Sequence, residues 1–190
     1  MKQLLTTHHL VSYRSGQSGA SLIEVLVSIL LLTVGLLGMA GLAAVSAANN
    51  KLAQIRSTSN LLVSDYVDRA RANLIGFDSN QYELIDTYAY PSAAVTESGC
   101  TNASTDACLP VTMATLDKAQ WRNTLRRRLP GGTAFVNTFP NAGGIRTMDI
   151  WIMWAEAEST DSFGLSNVYL CPAAAAAPSS VRCMYFRVSL

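Results

Sequence analysis

The chain has 190 residues, 49% of them apolar and only 14% charged, which excludes an intrinsically disordered protein and leaves room for one domain with a sizeable core. Fourteen basic against thirteen acidic side chains leave a net charge of +1, so no global attraction to nucleic acid or to an acidic surface follows. Both histidines, His8 and His9, lie near the N-terminus, which excludes a histidine-based catalytic or metal centre in the main body.

The N-terminal stretch up to Gly19 is polar and carries only Lys2 and Arg14 as charges. Glu24 is the only acid among the first 64 residues. From Val25 to Asn50 there are 26 residues without a charge, and Lys51 ends the run. A helix of that length, at about 1.5 Å per residue, spans a hydrocarbon layer of about 30 Å. A basic flank followed by an apolar run is the layout of an inner-membrane segment with a cytoplasmic N-terminus. A cleaved secretory signal is the rival, with cut sites among Ala40, Ala43, Ala44 and Ala47, but the run is too long and its leader too polar. Ser21 and Glu24 have capping-box spacing, which places the acid at the positive end of the helix dipole. Gly35, Gly38 and Gly41 serve either close helix packing or local melting.

Helical spacing continues past the run. Leu52, Ile55, Leu62, Val63, Tyr66, Ala70 and Leu74 form one apolar stripe, interrupted at Ser59. Asp65 and Arg69 make an i,i+4 pair, and Gly76 is the expected C-terminal stop. The stretch from Phe77 to Asp117 reads as loop, with Tyr82, Leu84, Tyr88 and Tyr90 hinting at a short strand or turn. A short helix is expected over Leu116–Leu129, ended by Pro130-Gly131-Gly132. Strands are expected over Thr133–Thr138, Met148–Glu156 and Arg182–Leu190, and a fourth over Phe163–Leu170. In the second, Met148, Ile150, Ile152 and Trp154 point one way; Asp149, Trp151, Met153 and Ala155 point the other. The fold class that follows is α+β, a long N-terminal helix packed on a small antiparallel sheet.

Cys100, Cys108, Cys171 and Cys183 all lie beyond the apolar run. An even count in an exported head reads as two disulfides, and Cys100–Cys108 with Cys171–Cys183 close the two shortest loops of the three possible pairings. Zinc is the rival, disfavoured by the missing C-x2-C unit and the lack of histidine in the head. Arg126, Arg127 and Arg128 form the only basic cluster, read as a solvated helix end or a subunit contact before nucleic acid. Glu156, Glu158 and Asp161 read as a solvated edge. The residues suggest no catalytic site, no cofactor and no small-molecule substrate.

The segment Gly19-Ala20-Ser21-Leu22-Ile23-Glu24-Val25-Leu26-Val27 resembles the class III signal of type IV pilins and type II secretion pseudopilins. The resemblance implies a leader, residues 1–19, removed by a prepilin peptidase that cuts after Gly19 and N-methylates Ala20. Ala20 stands where the family usually has Phe or Met. Glu24 would then be the fifth mature residue, which in the family pairs with the N-terminal amine of an adjacent subunit. The implied organisation is a transmembrane assembly helix over 20–50 and a periplasmic head over 51–190, with an amphipathic half-helix over about 51–75. Trp121, Leu129-Pro130-Gly131-Gly132, Trp154 and the late cysteine pair, with Val25-Leu26-Val27 and Gly35-Leu36-Leu37-Gly38, are similar to the PilV-type minor pilins. That likeness implies other pilins, the prepilin peptidase, the inner membrane and the pilus assembly platform as partners. A type II secretion pseudopilin and a membrane-anchored periplasmic binding module are the other readings.

Overall fold

The computed structural model describes residues 19, 21–89, 93–98, 100, 108–155 and 171–190. The expected strand at Phe163–Leu170 and the acids Glu156, Glu158 and Asp161 lie outside the described residues, as do Ala20 and Tyr90. The chain divides into two units, Met1–Asn49 and Asn50–Leu190. Helix α1, Leu22–Ala72, is continuous through the boundary.

Within the first unit every described residue is exposed. The helix is unbroken across Gly35, Gly38 and Gly41, and a Cβ at any of the three would meet nothing within 4 Å. Two hydroxyls of this apolar segment donate back to the helix itself. Ser28 Oγ bonds the Glu24 carbonyl at 2.7 Å, and Thr33 Oγ1 bonds the Leu30 carbonyl at 2.8 Å. No polar side-chain group of these two residues is then left without a partner in a dry environment.

In the second unit α1 buries Ser59, Leu62, Val63, Tyr66, Val67 and Ala70. Ser59 does not interrupt the stripe. It is fully buried, and its hydroxyl is satisfied by the Ile55 carbonyl at 2.9 Å. The expected stop also moves. The helix ends at Ala72, and Gly76 lies inside a second short helix, α2, Leu74–Asp78. Asn73 makes the break: its Oδ1 accepts the Gly76 N–H at 3.1 Å and its Nδ2 donates to the Pro110 carbonyl at 2.7 Å. A Cβ on Gly76 would lie 2.5 Å from Asn73 Nδ2 and 2.9 Å from the Pro110 oxygen, so the glycine serves close approach instead of termination. The phase of the stripe is lost at Asn73, which leaves Leu74 exposed.

Helix α3 spans Pro110–Arg128 and begins more than a turn before the expected Leu116. Pro110 opens it with a fixed φ at the position where a missing N–H costs nothing. Its buried face presents Ala114, Trp121 and Leu125 to α1 and the sheet. After Pro130, Gly131 takes φ 58°. Gly132 packs against the Leu125 carbonyl too closely for any side chain.

Three strands follow, β1 Thr133–Ala142, β2 Ile145–Ala155 and β3 Val181–Ser189, antiparallel in the order β1-β2-β3. The first two extend beyond their expected ends because Gly143 and Gly144, both at positive φ, close a tight hairpin. In β1 the register shifts between Phe139 and Ala142, around Pro140. On the outer side of β1 an isolated bridge forms, in which Leu84 and Val136 exchange backbone bonds of 3.0 and 2.7 Å.

Met148, Ile150, Ile152 and Trp154 face the helices and join the main core, as their alternation implied. The opposite face is covered at one end. Phe135, Met153, Val181 and Cys183 pack there beneath Ala175. The covering segment is tied down by the Cys171–Cys183 disulfide, whose Cα atoms are 5.2 Å apart, and by the Tyr88 N–H donating to the Ala175 carbonyl at 2.7 Å. A second disulfide joins Cys100 to Cys108.

At the other end of that face, Asp149 accepts from Arg187 Nε at 2.7 Å, Arg187 Nη2 at 2.8 Å and the Tyr185 hydroxyl at 2.9 Å. The Arg187 guanidinium holds the Asp149 carboxyl below the usual carboxylate range, against the opposing effect of its burial. A lowered folded-state pKa stabilises above the unfolded value, and the benefit is lost as pH falls through the folded value. Arg187→Met is therefore expected to raise the Asp149 pKa and shift the acid limb of unfolding to higher pH. Carboxyl NMR titration checks the first effect, and unfolding between about pH 2 and 6 checks the second.

Candidate assembly site

The head is fastened to α1 by a polar and aromatic cluster. Trp121 stacks on Tyr66 with ring centroids 3.9 Å apart, and its indole N–H donates to the Leu62 carbonyl at 2.8 Å. The Tyr66 hydroxyl donates to the Tyr82 carbonyl at 2.6 Å. Asp117 accepts from the Tyr82 hydroxyl at 2.7 Å and from Arg69 Nη1 at 3.0 Å. Arg69 also keeps the expected i,i+4 bond to Asp65, at 3.2 Å. Burial first, and then Asp117, pushes the Tyr82 hydroxyl well above its ordinary pKa.

Beside α3 lies a shallow cleft of ≈ 370 Å³. Its charges are arranged around Asp86, which pairs with Arg122 at 3.1 Å, and Lys118, whose ammonium pKa is lowered by desolvation. The cleft wall formed by residues 93–98 is pinned by the buried amide of Asn123. Its Oδ1 accepts the Val95 N–H at 3.0 Å, and its Nδ2 donates to the Val95 carbonyl at 2.8 Å and to Glu97 at 3.0 Å. Among the described residues no group of three or more His, Cys, Asp or Glu side chains is placed to hold a metal ion.

The other candidate site is the start of α1. Gly19 is exposed. The Ser21 carbonyl accepts the N–H groups of Glu24 at 2.9 Å and Val25 at 3.3 Å, so the helix begins at Leu22 with Glu24 in its first turn. An acid there meets the positive end of the helix dipole. Beyond it the apolar side chains are exposed all round the helix: Leu30 is 62% exposed, Leu37 73% and Leu42 75%. This helix is long and apolar enough to cross a membrane, with a mean hydropathy of 2.5 over its most apolar window and none of that window buried. A helix apolar on every side requires lipid or other helices around it.

Gly19, Glu24 and the apolar run thus sit together, as their sequence places them, and Ala20 between them lies outside the described residues. The cysteines are a separate feature of the head. Arg126, Arg127 and Arg128 are exposed in the last turn of α3. Asn123 and the Asp149–Arg187 pair carried no sequence signal, because their partners are 26 to 38 residues away.

Residues 14–40 match the family model of the prokaryotic N-terminal methylation motif. No curated protein and no solved structure matches the chain. The motif marks a type IV pilin-like or pseudopilin protein of the kind that prepilin peptidase processes, and the long helix on a three-stranded antiparallel sheet is an α+β arrangement like that of type IV pilins. The match covers the anchor and stops short of the head.

Proposed function

We propose that the chain is a minor pilin of the type IV pilus, most similar to the PilV type, with a structural role and no enzymatic one. It is made as a prepilin with residues 1–19 as a cytoplasmic leader, cut after Gly19 and methylated on Ala20. Residues 20–50 hold it in the inner membrane with the head, residues 51–190, in the periplasm. It then joins other pilins at the assembly platform. The observation that carries the reading is the coincidence of three features: the methylation motif over 14–40, a glycine five residues before a lone acid, and an apolar helix exposed on every side.

The role of Glu24 follows from electrostatics. An ionised carboxylate near the apolar core of a helix bundle is costly unless paired. Cutting after Gly19 creates an amine at Ala20 on a neighbouring copy, and the pair fixes register between subunits more than it adds stability. Mass spectrometry of the N-terminus tests the processing: a chain that starts at a methylated Ala20 supports the reading, and one that starts at Met1 or beyond residue 40 ends it. Glu24→Ala is expected to be processed normally but to be depleted in sheared filaments, read by immunoblot against the wild type. A type II secretion pseudopilin is the second reading, since the motif is common to both. Loss of one secretion system's filament, rather than of pili, on deletion would decide for it.

A further inference from the structure

The direction of α3 places its basic turn. Three ties fix that direction within the head unit. Pro110 is bonded to Asn73, Asp117 to Arg69, and Trp121 to Leu62. As α3 advances from 110 to 121, its partners on α1 and at the C-terminal end of α1 recede from 73 to 62. The two helices therefore run antiparallel. Past Trp121 the last turn of α3 continues toward the start of this unit, where Ile55 is packed against the cluster that contains Leu125 and Leu129. The last turn of α3 therefore lies at the pole where the chain enters this unit from the uncharged run that ends at Asn50.

That pole is basic. Lys51 and Arg56 stand on α1 just past the run, and Arg126, Arg127 and Arg128 stand on α3, all exposed. Among the described residues no carboxylate pairs with the three α3 arginines; Arg127 bonds only the Thr124 hydroxyl, at 3.2 Å. At about 1.5 Å per residue, Arg56 is about 9 Å along the helix from Asn50. A headgroup layer adds about 5–8 Å to each side of the hydrocarbon, and charges interact over about 10 Å at 0.1 M salt. A folded domain crosses the membrane largely regardless of its charge, so this cluster does not conflict with the orientation of the anchor.

We infer that this pole is a lipid-docking surface: the Arg126–Arg128 turn, with Lys51, rests on the anionic phospholipid headgroups of the bilayer that holds α1. The inference rests on the membrane-anchoring part of the proposed function and not on processing at Gly19. Its consequence is a head held against the bilayer before assembly and released when the helix is drawn out of the lipid.

The test uses the full chain in nanodiscs of phosphatidylcholine, with or without phosphatidylglycerol, followed by amide hydrogen exchange. Exchange over residues 126–129 is expected to slow at least about fivefold in the anionic discs, the change that a single cation contributes at such a surface. The slowing should vanish in high salt and in the exposed-residue variant Arg126→Gln/Arg127→Gln/Arg128→Gln. Equal exchange in both lipids overturns the inference. So does slowing in neutral discs on adding a single-stranded oligonucleotide, which would assign the surface to nucleic acid. Slowing in neutral discs that is relieved by Glu156→Gln/Glu158→Gln/Asp161→Asn would assign it to an internal pair and also overturn it. Flotation of the discs is read separately: a chain that does not float with them removes the anchoring premise itself, whatever the N-terminal mass shows.

Discussion

Gly19→Val is expected to abolish maturation, so that the chain accumulates 19 residues longer than the processed form. The structure separates the two ways in which such a change acts: on the chain itself or at the protease. Gly19 is exposed, and a Cβ built on it meets nothing within 4 Å, so the chain itself has room for the new side chain. Any loss must arise at the protease, which has to bring its own groups against the scissile carbonyl. A residue without a Cβ permits that close backbone approach, and a β-branched one blocks it. The uncut chain would also lack the Ala20 amine that Glu24 is proposed to need on a neighbour, and so should fail in assembly even though its head is folded. Intact-mass measurement on membranes reads the first effect. Head integrity is read by the Cys171–Cys183 bridge, which should form normally. Wild-type processing of this variant would remove the proposed cleavage site.

Trp121→Ala should be the most damaging single change in the head. The side chain is fully buried, stacks on Tyr66 and bonds the Leu62 carbonyl. Removing a buried Trp costs about 3–5 kcal/mol, against a total stability of about 5–15 kcal/mol for a domain. The loss should appear in denaturant unfolding as a lower midpoint. Trp154 supplies the comparison, since it is also buried but its indole N–H has no partner among the described residues. Trp154→Phe removes an unsatisfied donor, whereas Trp121→Phe breaks a hydrogen bond, so the second should cost more. Equal midpoints for the two phenylalanine variants would show that the Leu62 bond contributes nothing.

The sequence was most informative where one period ran uninterrupted. Leu62, Val63, Tyr66 and Ala70 recur at helical spacing, and Met148, Ile150, Ile152 and Trp154 alternate, so their burial could be read without coordinates. Ser59 was misread because a hydroxyl counts as polar, yet a helix can satisfy it from its own Ile55 carbonyl. Gly76 was misread because a glycine that ends a helix and one that admits a neighbouring backbone look alike in a string of letters. The start of α3 was hidden by Thr112 and Thr115, whose hydroxyls bond the Leu109 and Val111 carbonyls. Of the candidate assembly site, Gly19, Glu24 and the apolar helix were legible because they are contiguous. The basic pole was only half legible. The arginines were evident, but their level on α1 depends on ties joining residues 37 to 59 apart, which no local pattern encodes.

Pro140 interrupts the register of the strand at one margin of the sheet. It offers no N–H there, and the local shift spoils the straight row of donors and acceptors that a foreign strand would need. In an assembly of the proposed kind, many heads share a small volume for long periods, the condition under which open sheet margins fuse irreversibly into cross-β aggregates. Replacing that proline would leave a monomer much like the present one and a crowd far more prone to coalesce.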